Sequence, residues 1–390
     1  MTISTLLIGP TGHGGEGVYV NTIHQNPPEG VNYEVAAGFH TSSAGAACLL
    51  PVEVALNRLV VPYTIPDIGI RAMRLRRRFD LVHAHAHPVW LSGLSGTPMI
   101  MSEGSSVAVY LGAYLGWSDQ RMSQGFARAR RAYSSFGIHH RLLNMERAAK
   151  VYLFSEWARE VNLRWGADPS KLEVIYPGFP TPTLSRSETR DTFTFLFVGR
   201  DFERKGGYDV IEAFRLLSRD RPEARLVIAG SDPDFRNPDL LIHSWVSAER
   251  RQRLEADLES LIRRGVAVRL PAMSHTRLRD EVFTMADAFV MPTNAEGFGF
   301  TNVEAMSFGL PVVTSTVGPA TEVVSHRETG ILVPPADVCA LVQAMDELIS
   351  APARAAAMGA AGRTLFEQRF TVDHFRENLG GLYAKVVNGR

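Results

Sequence analysis

Short apolar runs of four to six residues recur along this chain, each stopped by a glycine, a proline or a charged turn and followed by a helix-length stretch. Such runs lie at residues 5–8, 80–83, 98–101, 151–154 and 172–176, with helical stretches at 141–150 and 156–165. Runs this short and this apolar predict parallel strands buried on both faces, and their alternation with helices predicts an α/β doubly wound sheet. Residues 177–191 are rich in Pro, Thr and Ser and read as a linker. The alternation then restarts, with strands expected at 193–198, 224–229, 266–270, 288–291 and 310–314 and helices at 208–218, 249–264 and 301–308. Two domains of similar size follow, 1–180 and 191–371, with a last helix at about 372–390 packing back on the first. Ligands of such sheets sit outside the carboxyl ends of the strands, and a cleft between two such domains is a favoured pocket.

Composition narrows the class. Lys plus Arg and Asp plus Glu each total 41, which argues against a global nucleic-acid footprint, and no nucleic-acid partner is expected. Two cysteines, Cys48 and Cys339, are too few for a disulfide framework or a cysteine-type zinc site. The first residues lack the basic n-region of a signal peptide, and the longest apolar region, 48–70, is broken by Glu53, Arg58 and several prolines. It falls short of the roughly 20 apolar residues of a spanning helix, so a cytoplasmic protein is expected. Charge is uneven locally: twelve arginines stand against five acids between Arg58 and Arg147. The clusters 71–78 and 128–131 read as a solvated helix face, or as a patch for peripheral contact with an anionic membrane at its inner face.

Two segments carry chemistry. Glu296-Gly297-Phe298-Gly299-Phe300-Thr301-Asn302 follows the strand at 288–291 and opens a helix, with Thr301 and Asn302 read near its cap. The glycines let the backbone approach a ligand, and the helix start suits a phosphate. Glu296 and Glu304 flank that site as candidates for sugar hydroxyls. The second segment runs from Val198-Gly199-Arg200 to Lys205-Gly206-Gly207, where Arg200 and Lys205 suit a diphosphate, the first as a fork and the second as a point charge.

Together these motifs resemble the nucleotide-sugar-dependent retaining glycosyltransferases of family 4. The likeness includes the Glu-x7-Glu spacing, the Val-Gly-Arg to Lys-Gly segment, the Glu-Ala-Met-x-x-Gly-x-Pro-Val run, and the Thr329 to Pro335 segment with Asp337. It implies the GT-B fold, two doubly wound Rossmann-like domains facing a central cleft. It assigns Arg200 and Lys205 to the donor diphosphate, Glu296 to the transferred sugar, Glu304 to the ribose, and the backbone of Phe298, Gly299, Phe300 and Thr301 to donor binding. Arg200, Lys205 and Glu296 are thereby the catalytic candidates. Gly14 and Gly15 resemble the Gly-Gly loop that closes over the diphosphate from the first domain, and Glu322 falls where the family has a further acid.

One departure stands out. Where many members have a histidine after the strand at 98–101, this chain has Gly104 beside Glu103. His85 and Glu103 are therefore acceptor-side candidates. His83, His85 and His87 share a face of an extended segment, as metal ligands would, but the resemblance implies lining or structural roles. Asp232 and Asp234 lie in turn composition. No metal and no cofactor are expected, since the nucleotide sugar is a substrate. The resemblance implies transfer of a hexose from a UDP- or GDP-linked donor to a glycan, lipid-linked or small-molecule hydroxyl acceptor. The alternatives are a non-catalytic nucleotide-sugar or glycan binder and a nucleotide-sugar epimerase of the same fold.

Overall fold

A computed structural model of the chain describes residues 2–10, 15–37, 46–49, 51–52, 54–55, 71–85, 89–92, 96–104, 111–112, 116–135, 147–183, 191–230, 245–271 and 273–389. It divides into two compact units, Met1–Gly178 with Val372–Arg390, and Phe179–Thr371.

The first unit contains β1 (Ile3–Gly9), α1 (Gly15–Gln25), β2 (Val31–Ala37), β3 (Ala46–Cys48), β4 (Arg71–Leu75), β5 (Leu81–His85), β6 (Val89–Ser92), β7 (Met99–Glu103), α2 (Asp119–Ser135), β8 (Lys150–Leu153), α3 (Glu156–Arg164) and β9 (Leu172–Val174). Its main sheet is parallel, in the order β2-β1-β5-β7-β8-β9. Every residue of β5 and β7 is buried, including the polar His83, His85, Ser102 and Glu103 toward their carboxyl ends. The order reverses between β1 and β5, the switch point at which such sheets take ligands. A second sheet, β3-β4-β6, was not foreseen. It corrects the reading of the basic cluster at 71–78 as a helix face: Arg71–Leu75 is a strand, with Ala72, Met73 and Leu75 turned into the core and Arg74 exposed. Arg77 pairs with Glu34 at 2.5 Å. The cluster at 128–131 is helical, within α2.

The second unit contains β10 (Phe193–Gly199), α4 (Gly207–Asp220), β11 (Ala224–Gly230), α5 (Ala248–Arg263), β12 (Ala267–Arg269), β13 (Ala288–Met291), α6 (Phe300–Ser307), β14 (Val312–Ser315), β15 (Gly330–Val333), α7 (Val338–Ser350) and α8 (Pro352–Arg369). Its sheet is wholly parallel, β12-β11-β10-β13-β14-β15. Winding starts at β10, runs outward to β12, and restarts on the other side with β13. The switch point therefore lies between β10 and β13, and the loops leaving their carboxyl ends are the two segments singled out above.

The last helix, α9 (Val372–Asn388), belongs to the first unit. Phe375 lies so close to Gly178 that a Cβ there would come within 2.6 Å of it. Tyr383 hydrogen-bonds both Tyr33 on β2 (2.8 Å) and Nδ1 of His83 on β5 (2.7 Å).

Candidate functional site

Gly206 draws the two loops of the second unit together. It caps α4 in a left-handed conformation (φ 78°), and a Cβ there would lie 2.1 Å from the Pro292 carbonyl oxygen, so only glycine lets the backbones approach. Cross-bonds hold them. Asn294 N donates to Arg204 O (2.7 Å), Thr293 Oγ1 to Arg204 O (3.2 Å), and Arg204 Nη1 to Ala295 O (2.5 Å). Arg204 also donates from Nε to Asp201 Oδ2 at 2.7 Å.

This clamp brings Lys205 and Glu296 together, Nζ to Oε2 at 3.1 Å. Arg204 Nη1 lies 3.6 Å from the same oxygen, and Gly297 N donates to Oε1 at 3.1 Å. Glu296 is largely buried. Burial alone would raise its pKa, but Lys205 and Arg204 outweigh it, with the Gly297 amide, and hold the carboxyl down at about 2. A group so acidic is a fixed negative acceptor and a poor proton acceptor in catalysis. Lys205 Nζ also points at Met291 Sδ (3.4 Å), to which Thr301 Oγ1 donates at 3.2 Å. Arg200 stands exposed at the carboxyl end of β10.

Thr301 and Asn302 lie in the first turn of α6, near its cap. Gly299, not Thr301 or Asn302, is the N-cap; it is left-handed at φ 90° with no side-chain capping bond. Asn302 is buried, and its amide reaches Thr314 Oγ1 at 3.4 Å. The helix thus opens next to Lys205 with its positive end uncapped by a side chain, the arrangement that accepts an anion. Phe298 is buried edge-on to Phe300 and Phe370. Glu304, one turn into the helix, is buried, and its Oε1 hydrogen-bonds Nε2 of His275. That pairing, more than the opposing burial, raises the pKa of His275. Glu322 is half-buried in the turn Ala320–Val323.

In the first unit, Gly15 opens α1, whereas Gly14 and His87, like Asp232 and Asp234 of the second, lie outside the described residues. His85 and Glu103 end β5 and β7, both buried. The histidines do not stand apart: His83 Nε2 and His85 Nδ1 both meet Ser102 Oγ, at 2.8 and 2.9 Å. Tyr152 OH lies 3.2 Å from His83 Nε2 and hydrogen-bonds Tyr19 OH. Burial pushes the phenols of Tyr19, Tyr152 and Tyr383 well up and the imidazole of His83 well down, so all stay neutral.

Arg204 and His275 were not found from sequence. Arg204 had a signal, as the cation next to Lys205; His275 had none, because its partner lies 29 residues away on another element.

A model of the family described as Glycosyl transferases group 1 matches residues 184–365. A glycogen synthase of Mycobacterium tuberculosis is 28% identical over 340 residues, 84% of this chain and 74% of that protein. Among solved structures, sucrose-phosphate synthase from Thermosynechococcus elongatus is similar with a TM-score of 0.70 and 21% identity, covering the whole of both chains. HepE from Anabaena, in complex with UDP-glucose, is similar with a TM-score of 0.65 and 16% identity, again over both whole chains.

Proposed function

We propose, on the premise that this chain is a group 1 glycosyltransferase with the GT-B fold, that it moves a hexose with retention of configuration. The donor is a UDP- or GDP-linked sugar, and the acceptor a hydroxyl of a glycan, a lipid-linked molecule or a small molecule. The observation that carries the reading is the Lys205–Glu296 pair, 3.1 Å apart, on the two loops at the switch point and beside the start of α6.

In this reading Lys205, Arg200 and the positive end of α6 take the donor diphosphate. They stabilise the charge that grows as the bond from sugar C1 to the phosphate oxygen breaks. Glu296, held ionised, accepts hydrogen bonds from sugar hydroxyls, and the backbone of Phe298 and Gly299 lines the same place. Glu304 takes the ribose, Gly14 and Gly15 serve donor binding, and His85 and Glu103 serve the acceptor side. The acceptor oxygen bonds to C1 on the face the diphosphate leaves, and its proton passes to the departing phosphate oxygen. In this reading Lys205 and Arg200 serve the diphosphate, and no metal is assigned a role.

We also place the protein in the cytoplasm. No helix among the described residues is long and apolar enough to cross a membrane. Arg128 and Arg131, exposed on α2, are the surface we assign to peripheral contact with anionic lipid, which co-flotation with anionic but not neutral vesicles tests. For the activity, purified protein is given UDP- and GDP-sugars with and without acceptor alcohols. Release of the nucleoside diphosphate that depends on acceptor, with an α-anomeric product from an α-linked donor by NMR and no effect of EDTA, is the expected result. Conversion of the donor sugar without acceptor would replace the reading by epimerisation.

A further inference from the structure

His275 has no part in the site as read so far, yet its imidazole occupies the carboxylate assigned above to the ribose. Ser274 caps the turn His275–Arg277 by accepting from Arg277 N at 3.3 Å, and this fixes where His275 leaves the backbone. From there Nε2 reaches Glu304 Oε1. The side chain of Glu304 is only 6% exposed, whereas that of His275 is 38% exposed, so the imidazole is the more solvent-facing member of the pair. The cations near His275 are engaged elsewhere: Arg277 forks onto Glu281 at 2.9 and 2.8 Å, and Arg279 donates to Pro180 O at 2.9 Å. Glu304 is thus the acid His275 serves.

A carboxylate on a helix has rotational freedom, and a hydrogen bond to one of its oxygens orients the other. We infer that His275 is a positioning residue for the donor nucleotide, clamping Oε1 of Glu304 so that Oε2 is presented to the ribose hydroxyls. The inference rests on the donor site proposed above and deepens it: discrimination for a ribose diol depends on an imidazole outside the Glu-x7-Glu motif. An oriented carboxylate rewards a hydroxyl that donates to it; a loose one rewards it less.

The test is calorimetric binding of UDP and GDP, each against its 2′,3′-dideoxy counterpart, to wild type, His275→Ala, His275→Gln and Lys205→Ala. Wild type should prefer the ribose form by about tenfold or more, the scale of one hydrogen bond to a charged group. In His275→Ala the preference should fall to about threefold or less, and in His275→Gln, whose amide can still donate to Oε1, it should return. Lys205→Ala should weaken both forms alike and leave the ratio intact. An unchanged ratio in His275→Ala overturns the inference while leaving the donor site standing. So does tighter binding of both forms, which would make His275 a plug instead of a clamp. If wild type binds neither UDP nor GDP, the donor-site reading fails and the inference falls with it.

Discussion

At the carboxyl ends of its central strands the second unit gathers opposite charges, whereas the first buries phenols and the His83 imidazole in their neutral forms. Lys205, Arg204 and Glu296 form a largely buried cluster in which the carboxyl stays ionised down to about pH 2. Tyr19, Tyr152, Tyr383 and His83 form a fully buried cluster whose members are all driven toward their neutral forms. Both are polar groups removed from water, and both must be satisfied internally. They differ in what they can do for a ligand. The charged cluster keeps its carboxyl ionised near neutrality, and in the proposed function it exchanges partners with a diphosphate and a sugar. The neutral network instead binds α9 to β2 and β5 through Tyr383, across a sequence separation of 300 residues or more.

The contrast predicts where each kind of damage appears. The largest effect falls on turnover: Lys205→Ala and Glu296→Ala should each cut nucleotide release by about 100-fold or more with near-ultraviolet circular dichroism unchanged. A Tyr383→Phe variant should do the opposite, binding UDP or GDP as wild type does while unfolding more easily. Wild-type rates in the first pair, or loss of nucleotide binding in the second, would dissolve the division of labour.

Acid separates the two clusters next. Glu296 has a folded pKa below its usual 4.5, so its contribution is present above that value and is lost as pH falls toward about 2. The full shift corresponds to about 3 kcal/mol. His83 also has a depressed folded pKa. The unfolded imidazole takes up a proton near 6.5 and the folded one resists, so stability is present above 6.5 and falls as pH drops below it. Denaturant titrations should show the slope at pH 5–6.5 flattened by His83→Asn and the slope at pH 2–4.5 flattened by Glu296→Gln. The smallest expected effect is Tyr383→Phe itself, about 1–3 kcal/mol in urea unfolding, the cost of leaving His83 Nδ1 and Tyr33 without their partner.

Much of this was readable beforehand, for a physical reason. Parallel strands buried on both faces are largely apolar, so β10 and β13 announce themselves, and glycines mark loops where backbones meet. Lys205 and Glu296 were singled out from motif and strand end together, and the fold brings them 3.1 Å apart. What escaped is what depends on contacts between distant segments. Thr301 and Asn302 were read near the α6 cap, but that the cap itself is Gly299 in the left-handed conformation emerges only in the fold. The strand at 71–75 was hidden by Arg71 and Arg74, which break its apolar run although Ala72, Met73 and Leu75 are buried. His275 could be tied to Glu304 only by the fold.

The most direct test is a crystal structure of the protein with a bound UDP- or GDP-sugar. The account predicts the diphosphate within hydrogen-bonding distance of Lys205 Nζ and the start of α6, with the sugar against Glu296. A donor bound elsewhere, with Lys205 and Glu296 still closed on each other and nothing at the start of α6, would contradict it.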